Sequence, residues 1–249
     1  TQLSKNGIPC PVSIADNDGQ VLQRIHDKPA LLVTRLPGES PVMPRSTECY
    51  QAGELLAAIH LTDQNGLPHL DNLNGLSQWR RLTTQLSPAL TQQQPQWLQQ
   101  IATELARLSS GFFHKSLPTG LCHSDLFPDN TLFVRGQLTG VLDFHFACHE
   151  RLIYDVAILM NAWGFEANGS PCRDNLHALW QGYCSRRCPT AAEIEALNDA
   201  LRAAALRFLL TRLRDHHFPR HGSQVLRKPP EEYQQRLTFH QQHDIRPML

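Results

Sequence analysis

Several things are missing from this 249-residue chain, and each absence removes a class of function. It contains no Gly-x-Gly-x-x-Gly and no Gly-x4-Gly-Lys, so neither a dinucleotide fingerprint nor a P-loop is available to cradle phosphates. Its apolar runs, such as residues 55–59 and 203–210, are short or interrupted by charge and fall well below the roughly 20 residues of a membrane span. Net charge is zero, with 23 basic against 23 acidic residues and a pI near 7.2. No whole-molecule field therefore favours nucleic acid or an anionic membrane, and any charged site must be local. A disulfide framework is missing as well: the seven cysteines at 10, 49, 122, 148, 172, 184 and 188 are odd in number and scattered, which suits a reducing cytoplasm. Cys172, Cys184 and Cys188 with His177 match no zinc-finger spacing and read as packing residues. Internal repeats and low-complexity blocks are absent too.

What is present is concentrated between residues 121 and 144. Residues 131–134 and 138–142 are two β-prone runs separated by Arg135-Gly-Gln137, a hairpin pattern with glycine at the tight position. Pairing near 134 and 138 puts Asn130 opposite Val141 or Leu142, so Asn130 and Asp143 emerge together at the open end. A side-chain amide and a carboxylate form an incomplete oxygen set of the kind that Mg²⁺ accepts while keeping positions for phosphate oxygens. Asp125, five residues before Asn130, is placed to orient a substrate hydroxyl and take its proton. His123 reads as a buried residue holding the loop backbone rather than as the base.

Before this stretch, residues 1–11 read as the last turn of a helix and a proline-fixed extended segment. Residues 12–15, 21–25 and 30–36 read as three antiparallel strands, ending in the linker Pro37-Gly-Glu-Ser40. From Ser46 or Thr47, the expected cap, the pattern turns helical to about residue 60, then again at 79–86 and 96–108. After the hairpin, helices are predicted at 152–163, 173–184, 191–217 and 231–241, the third opening on the capping box Thr190-Ala-Ala-Glu193. The expected fold class is α+β, with a small strand-rich part at 1–39 and a mainly helical part at 40–249 that carries one catalytic hairpin.

The pattern His-x-Asp-x4-Asn, followed by Asp-Phe at the end of a hairpin, resembles the catalytic and metal loops of protein-kinase-like enzymes, in their small-molecule branch. Val141-Leu-Asp-Phe-His-Phe-Ala-Cys148, Tyr154-Asp-Val-Ala157, Asn161-Ala-Trp163 and the 202–213 stretch are similar to the bacterial homoserine kinases of the aminoglycoside phosphotransferase superfamily. That resemblance implies ATP and Mg²⁺ as cofactors, Asp125 as catalytic base, and Asn130 and Asp143 as metal ligands. It also implies backbone contacts to adenine from Val33, Thr34, Arg35 and Leu36, and bracing of the catalytic loop by Asp155 with His123. The implied acceptor is a small molecule, L-homoserine first, in threonine biosynthesis.

Residues 171–221 carry eight Arg and no Lys against five acidic residues, which suits an anionic or zwitterionic acceptor. Arg207 is expected as a carboxylate ligand there, with His145 and Asn161 as further acceptor-side residues. Two departures from the family pattern stand out. The phosphate-covering turn and most of the first helix are absent and the chain opens on Thr, so a fragment of a longer chain is expected. Ala162 stands where relatives often carry Asp. Other readings are a kinase of choline, an aminoglycoside or a sugar, hinted at only by Glu166 and Asp174, and a non-catalytic binding module. The residues do not fix an oligomeric state.

Overall fold

A computed structural model of the protein describes residues 2–65, 68–219 and 228–249; Arg220 and His221, counted in the arginine-rich stretch above, lie outside them. Helix α1 (Gln2–Lys5) ends at Gly7, whose φ of +80° is open to glycine at no steric cost. The extended segment that follows lies along the later hairpin, with Val141 N–H donating to Pro9 C=O at 2.8 Å. Only two of the three expected strands form a ladder, β1 (Leu22–Ile25) and β2 (Lys28–Leu31), joined by a turn at His26 and Asp27, both at positive φ. Residues 12–15 contribute no strand. They touch residues 32–34 through a single bridge, Ser13 with Val33, and the backbone bonds Ile14 N to Leu32 O and Thr34 N to Val12 O.

The linker is docked onto the hairpin of β4 (Thr131–Val134) and β5 (Gln137–Val141). Glu39 and Phe133 exchange both backbone hydrogen bonds, and Thr139 Oγ1 donates to Pro37 C=O at 2.6 Å. Gly140 lets the linker lie close, since a Cβ on it would lie 2.9 Å from Leu36 Cδ1 and push that side chain aside. On the other side, Gln51 grips the hairpin turn, donating to Gly136 C=O and accepting from Leu138 N–H, both at 2.8 Å.

Gln51 belongs to α2 (Ser46–His60), which is capped by Arg45 rather than by Ser46 or Thr47. The Glu48 carboxylate reaches back to the Arg45 N–H at 2.9 Å. Helix α3 (Leu76–Gln93) is more than twice as long as the helix expected at 79–86, because the buried row Trp79, Leu82, Leu86 and Leu90 continues past Pro88, which sits inside the helix. Then come α4 (Pro95–Ser110), α5 (Leu152–Trp163), α6 (Arg173–Cys184), α7 (Ala191–His217) and α8 (Glu231–Gln242). The ends of α5, α6 and α7 coincide with the sequence reading. One further pair, β3 (Thr119–Cys122) with β6 (Cys148–Arg151), was not expected, since Cys-His-Glu-Arg has no alternating apolar pattern.

Nearly every residue of α5 is buried, so its apolar character all round reflects a central position in the core. Helices α2 and α6 cross at backbone contact distance. A Cβ on Gly53 would lie 2.2 Å from Leu179 O, and one on Gly182 would lie 2.0 Å from Tyr50 O. This close crossing carries the end of α2 to Asp155, which holds the 123–125 loop.

Candidate active site

β3 delivers the chain into His123-Ser124-Asp125, and a 3-10 turn at Pro128–Asn130 feeds β4. Leu142 N–H donates to Asn130 C=O at 2.8 Å, so Asn130 faces Leu142 and precedes the ladder pair Thr131–Val141, one of the two registers read from sequence. Asn130 Nδ2 donates to the Asp125 carbonyl at 2.8 Å and to its Oδ2 at 3.3 Å. That orientation ties Asn130 to Asp125 and leaves the amide oxygen without a partner among the described residues. Asp143 follows at the other strand's end in the left-handed region, φ +60°, and its Oδ1 accepts from His145 Nδ1 at 2.6 Å. One amide oxygen and one carboxylate oxygen are therefore free at the open end of the hairpin, a hard donor set that fits Mg²⁺.

Asp125 is half-buried and its pKa is raised. Burial is the largest cause, the charges of Asp143 and Asp129 act in the same direction, and Arg207 and His123 oppose them. A carboxylate raised in this way is a better proton acceptor than an exposed aspartate.

The loop is held from behind by Asp155 on α5, which is fully buried. Its Oδ2 accepts His123 N–H at 2.7 Å and its Oδ1 accepts Ser124 N–H at 2.8 Å. Burial alone would raise the Asp155 pKa, but the hydrogen bond from His60, with those from the loop N–H groups, brings it below the ordinary value. His60, the last residue of α2, lies 3.1 Å from Asp155 Oδ2 through Nε2 and 2.8 Å from Tyr183 Oη through Nδ1. Arg187 in turn donates to Tyr183 Oη at 2.9 Å and pairs with Glu193, the capping residue of α7. The donor pattern is self-consistent: arginine to phenol oxygen, phenol O–H to Nδ1, Nε2–H to carboxylate, carboxylate to the loop amides. Sequence reading missed His60 and Tyr183. The available signal was a histidine closing the apolar face of α2.

His123 is buried, with Nε2 at 3.0 Å from Leu142 C=O, so it joins the loop to the hairpin. Val33, Thr34 and Arg35 are exposed and Leu36 is half-buried. The backbone of Arg35 and Leu36 has no hydrogen-bond partner among the described residues, leaving its donors and acceptors available. Two expectations need correction. Asn161 is fully buried with its amide spent on Leu201 C=O at 2.9 Å and on His240 Nε2 at 2.7 Å, so it has no surface on which to meet an acceptor. Arg207 is only 2 % exposed, and its Nη1 donates to the Ser124 carbonyl, so it is not an open carboxylate ligand.

Among the described residues one trio of metal-ligand types converges, His60, Cys122 and Asp155. Both nitrogens of His60 and both oxygens of Asp155 are already hydrogen-bonded, so the trio is structural. Cys172, Cys184, Cys188 and His177 are not part of it.

The sequence matches the phosphotransferase enzyme family over residues 1–197. It is 41% identical over 238 residues to a homoserine kinase of Azorhizobium caulinodans, covering 96% of this chain and 74% of that protein. A homoserine kinase of Rhodopseudomonas palustris is 39% identical over 241 residues, 97% of this chain and 74% of its own length. Among solved structures, amicoumacin kinase hAmiN in complex with AMP-PNP, Ca²⁺ and Ami superposes with a TM-score of 0.71 at 16% identity, over 99% of this chain and 76% of that one. A choline kinase from Cryptosporidium parvum superposes at 0.68 and 14% identity, over 96% and 74%. The fold is thus the kinase-like α+β fold of these small-molecule kinases.

Proposed function

Since the chain belongs to the phosphotransferase enzyme family and is a kinase-like phosphotransferase of small molecules, we propose that it transfers the γ-phosphoryl group of ATP to the hydroxyl of L-homoserine. The observation that carries this reading is the junction of Asp125, Asn130 and Asp143. Asn130 spends its amide N–H on Asp125 and keeps its oxygen free beside the Asp143 carboxylate. Homoserine kinases at about 40% identity over nearly the whole chain support the acceptor. Its product would serve threonine biosynthesis.

Asp125 orients the acceptor hydroxyl and takes its proton, at a carboxylate that burial makes more basic. Asn130 and Asp143 would hold Mg²⁺, which when bound neutralises charge on the phosphates. Asp155, with His60 behind it, keeps the two loop amides oriented so that Asp125 does not have to be ordered at the moment of reaction. The unpaired backbone at Arg35 and Leu36, next to Val33 and Thr34, offers adenine a donor and an acceptor. The docking of residues 36–39 onto β4–β5 fixes that backbone relative to the metal ligands. In this reading residues 1–39 face the nucleotide and 40–249 hold the reacting groups.

The test is ADP release from ATP and Mg²⁺ across L-homoserine, choline, ethanolamine, a hexose and an aminoglycoside. L-homoserine should give the highest kcat/KM. A preference for any other acceptor removes the proposed substrate, and turnover of none removes the proposed activity.

A further inference from the structure

The catalytic loop bends through Ser124, whose φ of +62° is a conformation that an L side chain avoids. Ser124 carries no glycine-like freedom, so outside contacts must hold this bend. Between residues 121 and 134 the sequence has neither Lys nor Arg, so the loop supplies no cation of its own. The cation comes from α7. Arg207 Nη1 donates to the Ser124 carbonyl, while the guanidinium carbon lies 4.6 Å from the Phe208 ring centre and 5.6 Å from that of Phe146. The opposite atom of the same peptide, Asp125 N–H, donates to His123 Nδ1 at 3.2 Å. Both ends of the 124–125 peptide plane are thereby pinned by side chains, and the preceding amide, Ser124 N–H, is pinned by Asp155 at 2.8 Å.

Resting on the proposed function, we infer that Arg207 is a positioning residue for phosphoryl transfer: it holds the 124–125 peptide plane and so fixes where the Asp125 carboxylate stands. Flipping that plane turns about ψ of Ser124 and φ of Asp125, so it would break the Asp125 N–H bond to His123 and shift Asp125 relative to Asn130. Arg207 blocks the flip by engaging the carbonyl. Among the described residues no carboxylate forms a salt bridge with Arg207 and its Nε has no partner, so its side-chain hydrogen bonding is directed to the loop carbonyl. The two aromatic faces hold the planar guanidinium in the orientation that the carbonyl requires.

The test compares Arg207→Met and Arg207→Lys with the unaltered chain, using steady-state kinetics with ATP and the accepted acceptor, thermal melting, and hydrogen–deuterium exchange of the free protein. Arg207→Met should lower kcat on the order of 10²-fold, the effect of misplacing a reacting group, with both KM values changed by less than about threefold. Amides of residues 123–125 should exchange faster while those of α5 keep their protection. Arg207→Lys, which restores the charge without the planar fork, should be intermediate in both. A rise in acceptor KM with kcat and loop exchange unchanged would show that Arg207 meets the substrate and overturn the inference, as would wild-type kcat and exchange in Arg207→Met. If Arg207→Met does not fold, Arg207→Lys decides: native melting with faster exchange confined to the loop supports the inference, and native melting with unchanged exchange overturns it. Exchange needs no acceptor, so a chain inactive towards every amino alcohol would sink the proposed function while this inference is still judged on the loop.

Discussion

At the scale of single residues, two aspartates at the site are driven in opposite directions by their surroundings, and each direction has a measurable consequence. Asp125 is raised, chiefly by burial, and stands beside other carboxylates. Asp125→Asn should cut kcat by roughly 10²- to 10⁴-fold, the usual worth of a positioned base, with nucleotide affinity nearly unchanged. Retention of most of the turnover in a direct kinetic assay would remove Asp125 from the role of base. Asp155 is lowered despite complete burial, because His60 and two backbone amides favour its charged form. A group depressed below its ordinary value of 3.8 stabilises the fold fully above that pH and loses the contribution as pH falls through the folded-state value. Asp155→Asn turns an acceptor into a donor facing an amide, leaving a buried N–H unpaired at a cost of about 1–3 kcal/mol at neutral pH. Denaturant titrations should show the gap between the unaltered chain and Asp155→Asn closing below pH 3.8, and a gap independent of pH would contradict the assignment.

At the scale of elements, the crossing of α2 and α6 places Tyr183 against His60 and hence the polar chain against the 123–125 loop. Gly182→Ala would put a Cβ 2.0 Å from the Tyr50 carbonyl oxygen, and both groups belong to helix backbones that cannot rotate away. Overpacking of this kind costs on the order of 1–3 kcal/mol, more than the helix-propensity gain of up to about 1 kcal/mol from replacing glycine. Thermal melting should therefore fall by several °C, and an unchanged or higher midpoint would show that the helices part easily. Such a crossing is invisible in sequence, as is everything that depends on partners far along the chain. Local signals served well where they were strong: the capping box at Thr190 located the start of α7, and the apolar run of α5 gave both its ends. Hairpin periodicity brought Asn130 next to Leu142 within one residue of register. Failures followed weak or misleading local cues. The helix expected at 79–86 runs on to Gln93 with Pro88 inside it, residues 12–15 alternate like a strand but have little to pair with, and β6 is a strand only because β3 lies beside it. Asn161 and Arg207 looked like pocket residues because a polar side chain on an apolar helix face reads the same whether it meets a ligand or a buried carbonyl.

At the scale of the whole molecule, an apolar surface coincides with the absence of net charge. Leu22 and Leu31 are directly opposed across β1 and β2 and are 68% and 54% exposed, with Leu32 beside them at 63%. Among the described residues the short ladder also leaves its outer backbone groups unpaired, so one hairpin can pair with another copy through both its edge and its face. Charge repulsion would normally oppose this, but with 23 charges of each sign and a pI near 7.2 the chain has none at neutral pH. Reversible self-association is therefore expected, strongest near pH 7.2 and weaker on either side. The variant Leu22→Lys with Leu31→Glu separates the two causes: it leaves net charge at zero, removes the apolar pair, and sets opposite charges across the ladder, an arrangement that supports the hairpin by a few tenths of a kcal/mol. Sedimentation velocity over a concentration series should show this double variant monomeric at neutral pH while the unaltered chain grows in mean mass. Association that persists in the double variant but disappears when pH is moved away from 7.2 would assign it to charge alone and acquit the hairpin.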